Sequence, residues 1–108
     1  MKLLTRTEEF ILLSVWKLQQ DAYSIPIREK LIEITGKEYS LGAIYMPLER
    51  LEKRRLITSH FSESTPERGG RHKRIYSLTD AGKNALQEIY QVQQTFWQGV
   101  PQLMFGWS

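Results

Sequence analysis

The sequence predicts a mainly α chain with one small β-hairpin, in the order helix, helix, helix, strand, strand, helix. Three observations predict it. Apolar residues recur at helical spacing through four stretches. The period changes to alternation in two short runs. A Ser-, Thr-, Pro- and Gly-rich stretch from Ser64 to Gly70 separates those runs, as a loop would.

Thr7-Glu8-Glu9 reads as the first helix start, with acids where the helix dipole favours them. Phe10, Leu13 and Trp16 follow at helical spacing, and Ile11, Val15 and Leu18 widen the apolar face. This helix is expected over Thr7 to Gln19. Asp21-Ala22-Tyr23 reads as a turn. Ser24 is the expected cap of helix 2, and Pro26 is tolerated in its first turn because no bonded N–H is lost there. Ile27, Leu31 and Ile34 form its inward row, and Gly36 its stop.

Ser40 caps helix 3, whose inward stripe is Ile44, Leu48 and Leu51. Pro47 removes the hydrogen bond to the Ala43 carbonyl, so a kink or loosened first turns are expected. Ile57, Ser59 and Phe61 alternate with Thr58, His60 and Ser62 as a strand. Lys73, Ile75 and Ser77 alternate with Arg74, Tyr76 and Leu78 as the returning strand. Thr79 caps the last helix. Ala85, Ile89, Val92 and Phe96 make one apolar row on it, and Leu86, Tyr90 and Trp97 a second beside it. Gly99 and Pro101 are expected to end it. Three helices followed by a basic hairpin make a winged helix-turn-helix. The wide last stripe predicts a C-terminal dimerisation helix.

At 108 residues the chain fits a single core, read as a head over 1–78 and a dimerisation helix with tail over 79–108. The net charge of +3 is unevenly spread. Residues 50–74 carry eight Lys/Arg against three acids, a net of +5, while each flank nets −1. Such a window suits a polyanion-binding surface; standing alone it would read as a solvated charged loop, and its position in the fold shifts the reading towards the surface. With no cysteine, disulfides and thiolate metal sites are excluded. No run approaches a membrane span and no signal peptide is read, so a cytoplasmic protein is expected. No phosphate loop, metal-ligand spacing or nucleophile–base motif argues for an enzyme or a cofactor. His60 and His72 lack a third ligand at sensible spacing.

Ser40-Leu41-Gly42-Ala43-Ile44-Tyr45, then Leu48-Glu49-Arg50-Leu51-Glu52, then Leu56-Ile57, resembles the PadR family of bacterial transcriptional regulators. Thr65-Pro66-Glu67-Arg68-Gly69-Gly70-Arg71-His72-Lys73-Arg74-Ile75-Tyr76 resembles the wing of its short-chain branch. Leu78-Thr79-Asp80-Ala81-Gly82 resembles the entry to its last helix. The resemblance spans roughly Leu3 to Leu86. It implies helix 3 as recognition helix, a homodimer through the last helix and helix 1, and usually repression. Two positions depart from the family pattern. Arg55 stands where glycine is common, which implies a strained or differently built turn. Met46-Pro47 stands where proline more often sits one place earlier.

The inward stripe leaves Gly42, Met46, Glu49 and Lys53 on the far face of helix 3, with Ala43, Tyr45 and Arg50 on its flanks. Gly42 and Ala43 would permit close approach to a major groove. Met46 would meet a thymine methyl and Arg50 a guanine edge or a phosphate. Ser40 and Tyr45 are either phosphate ligands or only a cap and a packing residue. In the wing, Arg68, Gly70, Arg71, His72, Lys73 and Arg74 make the candidate DNA surface. Alternation puts Lys73 and Arg74 on opposite sides, so not all can touch DNA at once. Trp16, Ile89, Val92, Phe96 and Trp97 are the dimer or effector candidates. Packing is the plain reading, and an aromatic small-molecule effector between subunits is the one that drug-sensing relatives suggest. The expected partners are duplex DNA with an inverted-repeat operator, a second copy of the chain, and such an effector. The rival function is a winged helix used for protein–protein contact without specific DNA binding. The apolar tail, Leu103 to Trp107, is expected to fold back on the dimer.

Overall fold

The computed structural model describes residues 4–62 and 72–108. It shows the predicted order: α1 (Arg6–Leu18), α2 (Ser24–Thr35), α3 (Leu41–Lys53), β1 (Ile57–Phe61), β2 (Arg74–Leu78) and α4 (Asp80–Trp97). Among the described residues, no helix is long and apolar enough to cross a membrane. The expected loop from Ser64 to Gly70 lies outside the described residues.

α1 begins at Arg6, one residue before the expected start. Thr5, not Thr7, has a glutamate three places on. Its hydroxyl accepts from the Glu8 N–H at 3.1 Å, and the Glu8 carboxylate accepts from the Thr5 N–H at 2.8 Å. A single turn of 3₁₀ helix (Gln19–Asp21) then leads to Ala22, which is fully buried. Ser24 is the first residue of α2 rather than its cap. Tyr23 holds the cap position, with no side-chain cap bond. Ile27 and Leu31 enter the core as expected, but Ile34 is 64% exposed. It lies on the same row in the last turn of a helix that stops at Gly36, whose φ of 71° is the left-handed stop. The row therefore runs past the end of the core.

α3 is capped by Ser40, which accepts from the Ala43 N–H at 3.0 Å. It runs unbroken through Pro47, where a kink is expected from residue type alone. Pro47 sits one step from the Ile44/Leu48/Leu51 stripe and is buried with it, so packing offsets the missing backbone bond. The helix closes with paired reverse bonds. Leu56 N–H reaches the Leu51 carbonyl at 3.0 Å and Arg55 N–H the Glu52 carbonyl at 2.9 Å. Arg55 occupies the left-handed position of this motif, at φ 61°, where glycine is usual. The strain expected of an arginine at this position is present.

β1 and β2 pair antiparallel with Ile57 opposite Leu78 and Phe61 opposite Arg74. β2 begins at Arg74, one residue later than predicted. The Tyr76 N–H donates to the Ala22 carbonyl at 2.8 Å, which ties the hairpin to the turn after α1. Thr79 caps α4 by accepting from the Gly82 N–H at 3.0 Å. Gly82 is buried against the Leu56 carbonyl, and a Cβ there would lie 2.1 Å from that oxygen.

The first half of α4 covers the core with Ala85, Leu86 and Ile89; the second half leaves it. The radius of gyration is 16.4 Å, above the ~13 Å of a compact domain of this length. After Gly99, a short π-helical turn (Pro101–Phe105) follows. Pro101 therefore opens this turn and does not close α4, which stops at Trp97, short of the expected Gly99 and Pro101. In the tail, Phe105 lies 6.2 Å from Trp97 and 5.1 Å from Trp107, ring to ring.

Two substitutions should act with opposite sign. Gly82→Ala must push α4 off the Leu56 carbonyl and is expected to destabilise by about 3 kcal/mol. Arg55→Gly relieves the left-handed strain and is expected to stabilise by about 0.5–1 kcal/mol after the unfolded-state cost of glycine. Urea unfolding of both variants reads the two signs.

Candidate nucleic-acid interface

The stripe that buries Ile44, Leu48 and Leu51 turns the opposite face of α3 outward. Gly42, Ala43, Met46, Glu49, Arg50 and Lys53 are all exposed. Tyr45 is exposed on the flank nearest the hairpin. Ser40 is exposed with its hydroxyl already engaged by the helix cap, so a phosphate bond from it would be shared. Arg28 of α2 donates from Nε to the Tyr39 carbonyl, which holds the α2–α3 connection against α2.

At the foot of the hairpin the basic side chains differ in their freedom. His72 is exposed, its Nδ1 2.6 Å from the Ser62 carbonyl. The Lys73 ammonium lies 4.5 Å from the Tyr23 ring centre and 3.3 Å from its hydroxyl. Arg74 is engaged on the other side of the strand. Its Nη2 pairs with Glu52 Oε1 of α3, and its Nε donates to Ser59 Oγ at 3.1 Å. Ser59 Oγ donates in turn to Glu52 Oε2 at 2.6 Å. Arg74 is thus bound to the third helix, although its place in the basic window makes it a DNA candidate. Lys73 and Arg74 thus reach different partners, Tyr23 and Glu52, although both line one groove. Arg68, Gly70 and Arg71 lie outside the described residues.

Between α2, α3 and the hairpin foot lies a groove of about 500 Å³ lined by Tyr23, Ser24, Tyr45, Phe61, Lys73 and Tyr76, among others. Tyr76 is buried, and that burial raises its pKa above the ordinary 10.0 against the opposing pull of Arg74. Tyr23 and Ser59 join the site without a motif that marks them in the sequence, and Glu52 stands in the Leu48–Glu52 run of the family resemblance without a role assigned to it there. Helical spacing places Glu52 within ~20° of Tyr45, which is a usable signal. The other two depend on strand register.

The dimer and effector candidates fall in separate places. Ile89 is only 7% exposed, so it is used inside its own subunit and offers little to a partner. Val92 is half-buried, whereas Tyr90, Phe96 (80% exposed) and Trp97 (49%) are uncovered. Trp16 sits under the Lys83 ammonium, 5.5 Å from its ring centre, near the start of α4. Fourteen residues of helix, ~21 Å, separate Lys83 from Trp97. The two tryptophans therefore do not share a pocket within one chain. Among the described residues, no group of three or more His, Cys, Asp or Glu could hold a metal ion.

The description "Transcriptional regulator PadR-like family" belongs to the family whose sequence model matches residues 12–88. The chain belongs to this PadR-like family. A PadR family transcription regulator from hypervirulent Clostridium difficile R20291 is 28% identical, over 94% of this chain and 99% of that one, with a TM-score of 0.68. A PadR-like transcription factor from Bacteroides fragilis is 28% identical, over 89% and 87%, with a TM-score of 0.70. A Streptococcus transcriptional regulator, at 23% identity over 89% of each chain and a TM-score of 0.69, shares the fold. No curated protein matches the chain. The protein is a DNA-binding transcriptional regulator with a PadR-type winged helix.

The buried phenol makes stability pH-dependent on the alkaline side. The folded state holds Tyr76 neutral beyond the ordinary pKa, so stability is full below 10.0 and falls as pH rises towards the raised folded value. Tyr76→Phe is expected to lose less stability than the parent between about pH 9 and about pH 11. Urea unfolding of both proteins at the two pH values measures the difference.

Proposed function

We propose that the protein is a homodimeric, sequence-specific repressor of transcription, relieved by a small aromatic effector and working in the cytoplasm. The observation that carries this reading is the second half of α4, which projects from the head with Tyr90, Phe96 and Trp97 uncovered. Apolar surface at that density on a projecting helix is stable when a second copy covers it. A two-fold pair would then set two recognition helices against one face of a duplex. Residues 1–78 form the reading head, and 79–108 the dimerisation helix and tail, which folds against the partner.

In this reading Gly42 and Ala43 let α3 approach the major-groove floor, Met46 meets a thymine methyl, and Arg50 reads a guanine edge or a phosphate. Ser40 and Tyr45 bind phosphates, as do Lys73 beside Tyr23, His72, and Arg68 and Arg71 with Gly70. Phe96 and Trp97 of two subunits form the walls of a flat aromatic slot. Repression needs only occupancy of the site, and the effector acts by favouring a dimer geometry that fits DNA less well.

Selection from a random duplex pool tests the central claim. The expected product has inverted symmetry with half-sites about 10 bp apart, or a multiple of that. Selected sequences without inverted symmetry would contradict the dimeric reading of DNA. Phe96→Asp with Trp97→Asp should sediment as a monomer with a folded head and lose the symmetric site. Lys73→Ala should weaken selected and random duplexes alike and reduce the salt slope by about 1 for each phosphate it neutralises.

A further inference from the structure

The wing foot is rooted in the core at one end; at the other, Lys73 reaches Tyr23 at the start of α2, and the tie to α3 is made by side chains. Ile57 and Leu78 pair inside or beside the core, whereas Phe61 and His72 at the far end are exposed. Two strands of five residues have little stability of their own. The backbone tie from Tyr76 to Ala22 sits midway along β2. Beyond it, the polar contact joining the far end to α3 is the Glu52–Ser59–Arg74 network. Leverage makes this network matter. From Ile57 to Phe61 is ~14 Å of strand, so a tilt of ~10° at the root moves the far end by ~2.5 Å. That is nearly the length of a hydrogen bond.

Glu52 lies with Glu49 on the flank of α3 next to the hairpin, and the two share a shallow surface groove with Arg74 and Lys53. A carboxylate beside a polyanion surface is repulsive unless it is occupied. Here both oxygens are occupied, by Ser59 and by Arg74, and the Glu52 side chain is 28% exposed. Arg74 is held by Glu52 and Ser59 and lies over the Tyr76 ring at 5.5 Å.

We propose that Glu52, Ser59 and Arg74 form a latch that fixes the wing against the recognition helix, so that both engage one duplex in a single register. Glu52 and Arg74 are positioning residues, and Arg74 is not a DNA contact. The inference rests on the DNA-reading function proposed above, and adds to it the device that coordinates the two reading elements. A latch favours a duplex that engages α3 and wing together over one that engages either alone. It therefore contributes to specificity more than to general affinity.

The test uses the full chain, the duplex it selects from a random pool, and a random-sequence duplex of equal length. Glu52→Gln removes a negative charge, so simple electrostatics predicts tighter binding to both duplexes. The latch predicts the opposite sign on the selected duplex: about fivefold weaker binding, with an unchanged salt slope and no loss on the random duplex. Tighter or unchanged binding to the selected duplex overturns the latch. Arg74→Gln should likewise keep the parent salt slope, and a slope lower by about 1 would place Arg74 on a phosphate and overturn the proposal. The swapped pair, Glu52→Arg with Arg74→Glu, keeps the net charge and should restore selected-duplex affinity. A swap that unfolds like the parent yet does not recover also overturns it. Hydrogen exchange without DNA reads the latch by itself. The Ser62 amide, bonded to the Lys73 carbonyl at 2.8 Å, should exchange faster in Glu52→Gln while α1 amides do not change. If the parent protein selects no duplex, the DNA-reading function fails, and this exchange still decides the latch: equal rates overturn it.

Discussion

The third helix, the hairpin and the last helix all depend on the backbone of one residue, Leu56. Its N–H closes α3 onto the Leu51 carbonyl, and its carbonyl accepts from the Thr79 N–H at 3.1 Å. Gly82 lies flush against that same carbonyl. The end of α3, the root of the hairpin and the start of α4 therefore meet at one residue. The Thr79 hydroxyl adds a bond to the Arg55 carbonyl at 2.6 Å while also capping α4. Their mutual angles are set by short backbone bonds, which tolerate little deformation. This accounts for the Thr79-Asp80-Ala81-Gly82 run as geometry: a cap at the first position and no Cβ at the fourth.

Periodicity carries most of the fold, because core packing enforces a buried row on each helix, although in α1 that row is Ile11, Leu12 and Val15, and Leu13 and Trp16 of the expected row are exposed. Ile27, Leu31, Ile44, Leu48 and Leu51 all fall where spacing places them. The departures are local and have local causes. Thr7-Glu8-Glu9 has the composition of a helix start, but only Thr5 has a carboxylate at the reciprocal position. Ser24 is a cap by residue type, yet the chain is already helical there. Ile34 keeps its row but lies beyond the core. Pro47 is a backbone defect whose burial outweighs it. The interface is less legible than the fold. Strand alternation separates Lys73 from Arg74, yet deciding which of them is occupied needs the pairing of β1 with β2 and the reach of Glu52 across to both.

Counting cations overstates the field that a DNA phosphate would meet. Of the eight Lys/Arg in residues 50–74, Arg74 is paired with Glu52, and Arg54 lies 3.8 Å from the buried Glu8. Arg50 and Lys53 on α3, and Arg55 beyond it, are exposed. A paired cation still adds to the long-range potential only to the extent that its partner does not cancel it. The +5 window thus divides into groups that hold the head together and groups that remain available for contact. Arg54 belongs to the first kind, since it joins the end of α3 to the start of α1.

α4 divides in the same way along its length. Its first three turns are committed to the head, from Gly82 against Leu56 to Ile89 in the core. One turn further on, the Gln93 amide donates to the buried Glu9 carboxylate at 3.1 Å, so a polar bond to α1 follows the last apolar contact. Phe96 and Trp97 come immediately after, with no cover from the head. Because α4 is one unbroken helix of 18 residues, ~27 Å long, it transmits rotation rather than absorbing it. A change in how two copies meet at Phe96 and Trp97 would be carried to Gly82, and from there to Leu56. The proposed effector response then needs no separate hinge, because the helix proposed to join two copies already bears on the residue that sets α3 and the hairpin.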